Sequence, residues 1–155
     1  MKRTMIAAIL AGTFSIAAQA GECPADQRRP DGSGQKMGAT MPKDVTDRVL
    51  ASNDLSKDPI ALNGRLFRAR ELVVAPGGIV PWHDHGNRPA MIYIATGQMT
   101  EYASTCAVPI VHNPGSVSAE KAPTMHWWKN TGKVKSVIIS VDLFPAEMKM
   151  DDRMM

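Results

Sequence analysis

From Val45 to Pro145 this chain is written in short runs rich in Val, Ile and Tyr, broken repeatedly by Gly, Pro or Asn, and that punctuation restricts its fold more than any other feature. Arg65 to Ala75 alternates Leu66, Arg68, Arg70 and Leu72 against Phe67, Ala69 and Glu71, the period of a strand whose side chains take opposite faces in turn. Met91 to Ile94 ends at Thr96-Gly97, a hairpin signal, and Met99 to Ala103 follows it. Val108 to Val111 stops at Asn113-Pro114-Gly115, Val117 to Ala119 precedes a turn at Pro123, and Val134 to Leu143 is closed by Pro145. Residues 45–56 read as one or two helical turns, and no long amphipathic helix competes with the strands. Such a pattern predicts an all-β antiparallel barrel or sandwich.

The first 20 residues read differently. Lys2 and Arg3 precede an apolar run from Met5 to Ala18, and Ala18-Gln19-Ala20 has the small-x-small form of a cleavage site. A basic start, an apolar stretch too short to span a bilayer with ease and that ending describe a secretory signal peptide over 1–20. The reading that follows is a polar N-terminal arm over 21–44, a barrel over 45–146 and a C-terminal tail over 147–155. It places the mature protein in the periplasm or outside the cell, with no membrane attachment after cleavage.

Losing Lys2 and Arg3 leaves 16 basic residues against 15 acidic ones, a net charge near +1. No basic cluster is interleaved with aromatics, so nucleic acid is excluded as a partner. A small-molecule ligand is the expected partner, and a homodimer stays open. Cys23 and Cys106 are the only cysteines, and in an oxidising compartment they are expected to bond, tying the arm to the barrel.

Three of the four histidines carry the chemistry. His83 and His85, one residue apart, share a face of an extended strand, and a third, His126, can arrive from a distant strand to complete a three-nitrogen site with open positions. The surrounding residues resemble two motifs of the cupin family. Gly77, five residues, His83-Asp84-His85 and a closing Gly97 are similar to the first; Gly115, Pro123, His126 and Asn130 are similar to the second. The resemblance covers roughly residues 65–143 and implies an antiparallel jelly-roll barrel, extended at its N-terminus by the arm.

One position departs from that family's pattern. The glutamate that completes a four-ligand site in many cupins falls on Ala90, which cannot bind metal. Either the site has three histidines only, as in cupins similar to thiol dioxygenases and diketone-cleaving oxygenases, or a carboxylate comes from elsewhere. If Thr96-Gly97 is a two-residue hairpin, Ile92 pairs with Glu101, and Glu101 shares the inward face of Ala90. Glu101 is therefore a candidate fourth ligand, acid–base group, or partner to a metal-bound histidine.

Tyr93, Tyr102 and Trp128 are candidate pocket walls, while His112 matches no ligand position and reads as a surface or core residue. Arg65, Arg68 and Arg70 read as solvent-facing or paired, and Arg88 as a residue that could meet an anionic substrate. The expected cofactor is a divalent transition metal, one of Fe, Zn, Ni, Mn or Cu. The function expected is that of a metal-binding exported cupin with dioxygenase-type chemistry on a small chelating or thiol-bearing substrate. The alternative is a non-catalytic module that binds a small molecule or metal.

Overall fold

The computed structural model describes residues 21–147; the stretch read as a signal peptide, 1–20, and most of the expected tail, 148–155, lie outside them. Eight strands form one antiparallel, nearly closed barrel: β1 (Lys43–Asp54), β2 (Arg65–Asp84), β3 (Ala90–Thr96), β4 (Met99–Ala103), β5 (Ile110–His112), β6 (Val117–Glu120), β7 (Met125–Lys129) and β8 (Ser136–Pro145). The neighbour order is β5-β4-β7-β2-β8-β3-β6, with β1 on the other edge of β2. Among the described residues no helix is long and apolar enough to cross a membrane.

Strand β2 organises the barrel because it serves both of its walls. Its first half, Arg65 to Val74, pairs with β8, and its second half, Ile79 to Asp84, pairs with β7. The chain bends between these halves at Gly77-Gly78. A Cβ on Gly78 would stand 2.7 Å from a Val74 methyl and 2.8 Å from the Asp44 carbonyl, so no larger residue fits where β1 crosses. The alternation of β2 carries past these glycines to Val80, and an irregularity in the ladder between Val80 and His83 then shifts the inward phase by one residue, so that His83 and His85 face the cavity at the strand's end, beside β7. Leu72, Val74, Val80, Ile94, Met99, Trp128 and Ile138 fill the interior as one apolar cluster.

Two local expectations are corrected. Residues 45–56 are not helical: β1 runs to Asp54 along β2, and only Leu55–Lys57 makes a 3-10 turn, capped by Asp54 accepting from the Ser56 N–H at 3.1 Å. β1 is an outer strand whose side chains are mostly exposed, so it lacks the buried alternation that marks a strand in sequence. The second correction concerns Thr96-Gly97, which makes no β3–β4 hairpin. β3 pairs with β6 and β8, whereas β4 pairs with β5 and β7. Gly97, at φ +74°, passes the chain from one wall to the other so close to β8 that a Cβ would lie 2.5 Å from the Ser136 hydroxyl.

The arm lies along the β4–β5 connection. Backbone N–H groups of Arg29, Gly34 and Gln35 donate to the carbonyls of Thr105, Ser104 and Ala103 at 2.8, 2.8 and 2.9 Å. Cys23 and Cys106 form a disulfide beneath it, linking positions 83 residues apart with a Cα–Cα distance of 5.8 Å. A cross-link closing so long a loop stabilises the fold by roughly 2–4 kcal/mol through the unfolded chain it constrains.

Candidate metal centre

His83 and His85 leave the same face at the end of β2, and β7 presents His126 directly opposite His83 in the ladder. Their Nε2 atoms form a triangle with edges of 3.1, 3.0 and 3.2 Å. Each ring is fixed from behind through Nδ1. Nδ1–H of His83 donates to the Pro81 carbonyl at 2.8 Å, that of His85 to the Arg88 carbonyl at 2.9 Å, and that of His126 to Glu101 Oε1 at 2.7 Å. A carbonyl or a carboxylate can only accept, so the protons sit on Nδ1 and three Nε2 lone pairs face a common point. Lone pairs so arranged repel one another unless a metal ion, or in its absence a proton on His126, stands between them. The edges match what three nitrogens about 2.1 Å from one centre span, so the residues fit a metal ion.

Burial shapes the charge states of this cluster. Desolvation, then the neighbouring rings of His126 and His85, hold His83 well below the usual imidazole range. The same desolvation and His126 push His85 down to about 3. His126 goes the other way: burial opposes its charge, but Glu120 and Glu101 beside it raise its pKa above the ordinary value.

Glu101 faces the barrel interior, yet it is not among the residues lining the cavity at the triangle. It stands behind His126, with Oε1 on that ring and Oε2 accepting from His112 Nε2 at 2.9 Å. Glu101 thus stands as a partner to His126, one of the roles expected of it, and not on the side of the Nε2 triangle where a fourth ligand would lie. Burial raises the Glu101 pKa, but the hydrogen bonds from His112 and His126 outweigh it and bring the group to about 2. Its inward face does not come from the expected hairpin: Glu101 pairs with Trp128 on β7 and Ile110 on β5, and β7 is the strand that carries His126.

Sequence reasoning missed two members of this cluster. His112 is fully buried, packs on Trp128 with ring centroids 4.3 Å apart, and holds Glu101 in place. Its alternation with the inward Ile110 two residues earlier was the available signal. Glu120, at the end of β6, brings Oε2 to 3.4 Å from His126 Nδ1, and burial followed by the Glu101 charge raises its pKa. Glu101, Glu120 and His126 form a second group whose donor atoms lie close enough to hold a cation.

The cavity above the triangle is small, about 30 Å³, and is lined by Leu72, Val80, Ile92, Ile138, Trp128 and, at its polar side, Arg70, Arg88 and Ser140. Trp128 is thus a wall, as its parity with His126 implied. Tyr93 and Tyr102 are not. Tyr93 is 43 % exposed on the outer face of β3, and Tyr102 stacks on Trp127 at 4.1 Å, one step out of phase with the inward Glu101. Arg68 and Arg70 are buried and paired, with Arg68 making a two-pronged contact to Asp142 at 3.0 and 2.7 Å. Ala90 is buried with no carboxylate to offer, and its ladder neighbours are Glu120 and Asp142.

Comparison with solved structures shows that the antiparallel barrel has a cupin fold. KdgF from Halomonas sp. superposes with a TM-score of 0.53 at 15% identity, over 70% of this chain and 84% of its own. The Schizosaccharomyces pombe Cnp3 cupin domain gives 0.53 at 14% identity, over 65% of each chain. A Thermotoga maritima protein described as a predicted oxalate decarboxylase gives 0.53 at 18%, over 76% of this chain and 97% of its own. No protein-family model and no curated protein sequence matches the chain.

Proposed function

We propose that this protein is a metal-dependent cupin of an oxidising compartment whose centre is held by His83, His85 and His126 and acts on a small chelating molecule by dioxygenase-type chemistry. The observation that carries the reading is the triangle of Nε2 atoms with every Nδ1 proton already committed. A metal bound there would supply Lewis-acid polarisation and electron exchange with dioxygen. The chain supplies the rest. Three neutral donors leave the charge of a divalent ion uncancelled, and Pro81, Arg88 and Glu101 fix each ring so that little reorganisation accompanies binding. Leu72, Val80, Ile92, Ile138 and Trp128 give the ligand an apolar wall. The Cys23–Cys106 disulfide supports export.

A second reading, a non-catalytic binding module, rests on a different observation. Apart from the histidines, the cavity lining holds no carboxylate and no other general base among the described residues. Oxygen uptake by protein loaded in turn with Fe, Mn, Ni, Cu or Zn, offered a panel of thiols, diketones and flavonoids, separates the two. Consumption of dioxygen with one substrate class supports the oxygenase. Tight ligand binding with no uptake under any metal favours the module.

A further inference from the structure

The polar side of the cavity holds more positive charge than the protein cancels. Arg68, Arg70 and Arg88 are 3, 4 and 5 % exposed, and the acids packed against them are two, Asp47 and Asp142. Asp142 gives both oxygens to Arg68, at 3.0 and 2.7 Å, and lies at 3.7 Å from Arg70 Nε and 3.8 Å from Arg88 Nη1, beyond hydrogen-bonding distance. Asp47 is taken up by Arg70. Arg88 Nη1 is therefore buried with no hydrogen-bond acceptor, and Arg88, Arg70 and the Ser140 hydroxyl all line the cavity that the imidazoles share. Three guanidinium groups against two carboxylates leave one positive charge uncompensated beside an apolar space, a costly arrangement unless an anion completes it.

We propose that the ligand of this cavity is a small carboxylate, seated on Arg88 with Arg70 beside it, while its other end reaches toward the imidazole triangle. A guanidinium fork matches the two oxygens of a carboxylate, as it does those of a phosphate, and the carboxylate is the smaller of the two for so small a cavity. The apolar walls of Leu72, Val80, Ile92, Ile138 and Trp128 accommodate only a few carbon atoms between the poles. Arg88 is also fixed in place: its carbonyl accepts from His85 Nδ1 and its N–H donates to the His85 carbonyl at 3.4 Å, so the cation and that imidazole belong to one rigid turn. Only the triangle end of this arrangement rests on the metal reading above.

Calorimetric titration of the zinc-loaded and zinc-free protein with glycolate and pyruvate, and with glycolamide as the neutral analogue, tests the proposal. Carboxylates should bind at least about 10-fold more tightly than the amide, the value of one charge-assisted contact. Arg88→Gln, which keeps the backbone carbonyl that orients His85, should erase that preference while zinc stoichiometry stays unchanged. Should Arg88→Gln fail to fold, the acid-to-amide ratio of the unaltered protein decides alone. An amide that binds as well as the acid, or a preference that survives Arg88→Gln, overturns the proposal. A chain that binds carboxylates through Arg88 but takes up no zinc upholds it and sinks the metal reading; zinc uptake without any acid preference does the reverse.

Discussion

Glu101 grips His126 from behind at 2.7 Å, in an interior where neither residue reaches solvent. A carboxylate there fixes the tautomer that leaves Nε2 free and makes the imidazole a stronger donor. Glu101→Gln retains the size but removes the charge, and it should weaken zinc affinity by roughly 10- to 100-fold. Competition with a chromophoric chelator measures this. Unaltered affinity would mean that the carboxylate plays no part in holding the ligand.

The shifted histidines fix the number of protons that metal binding displaces. At pH 6 three ordinary imidazoles would release about two protons in total. Here His83 and His85 are already neutral at that pH, held down by burial first, while His126 is kept protonated by Glu120 and Glu101. Zinc binding at pH 6 should therefore release about one proton, drawn from His126, as calorimetry in buffers of different ionisation enthalpy will register. In the metal-free protein the same shifts act on stability with opposite signs. The lowered pKa values of His83 and His85 give stability that is present above 6.5 and lost as pH falls through their folded-state values, about 3 for His85. The raised value of His126 gives stability present below 6.5 and lost as pH rises through it. Below 6.5 the His126 contribution is constant, so His83 and His85 make acid the destabilising direction there, which urea unfolding at a series of pH values will follow.

The histidine triangle was legible in sequence because residues two apart on a strand share a face, which set His83 beside His85, and because the motif resemblance picked out His126. The barrel was legible for the same reason. What surrounds His126 was not, because Glu101, Glu120 and His112 are brought together by pairing between β4, β5, β6 and β7 and have no common spacing along the chain. Glu101 shows how a correct face can follow from an incorrect register: its inward parity holds whichever strand it pairs with, but its neighbour is Trp128 and not Ile92. Arg68 and Arg70 illustrate the opposite limit. Their alternation with Phe67 and Glu71 was visible, yet which face was interior depended on Asp142 of β8, 74 residues from Arg68.

Opening the Cys23–Cys106 bridge frees the arm from the β4–β5 connection without touching a ligand. The Cys23→Ser, Cys106→Ser double variant should lose about 2–4 kcal/mol in denaturant unfolding and still bind zinc with unchanged stoichiometry. Loss of zinc along with the bridge would show that the arm supports the centre, through the packing of Cys106 against Ala103 and Ile110 beside the Glu101 strand.

Ion pairs of two kinds on the same strand should differ sharply when broken. Arg48 and Glu71 meet at 2.8 Å, but the arginine side chain is 70% exposed, and solvent screening leaves such a pair worth under about 1 kcal/mol. Asp142, by contrast, is fully buried and, among the described residues, is the only acid within 4 Å of both Arg68 and Arg88. Asp142→Asn would strand two buried guanidinium groups, at a cost of roughly 3–5 kcal/mol, whereas Glu71→Gln should change stability by less than about 1 kcal/mol. Urea unfolding of both variants at pH 7 checks the contrast. Because an anion in the cavity would take over part of the charge that Asp142 supplies to Arg88, millimolar pyruvate should recover more stability in Asp142→Asn than it adds to the unaltered protein. Equal gains in both would mean that the carboxylate does not reach this cluster.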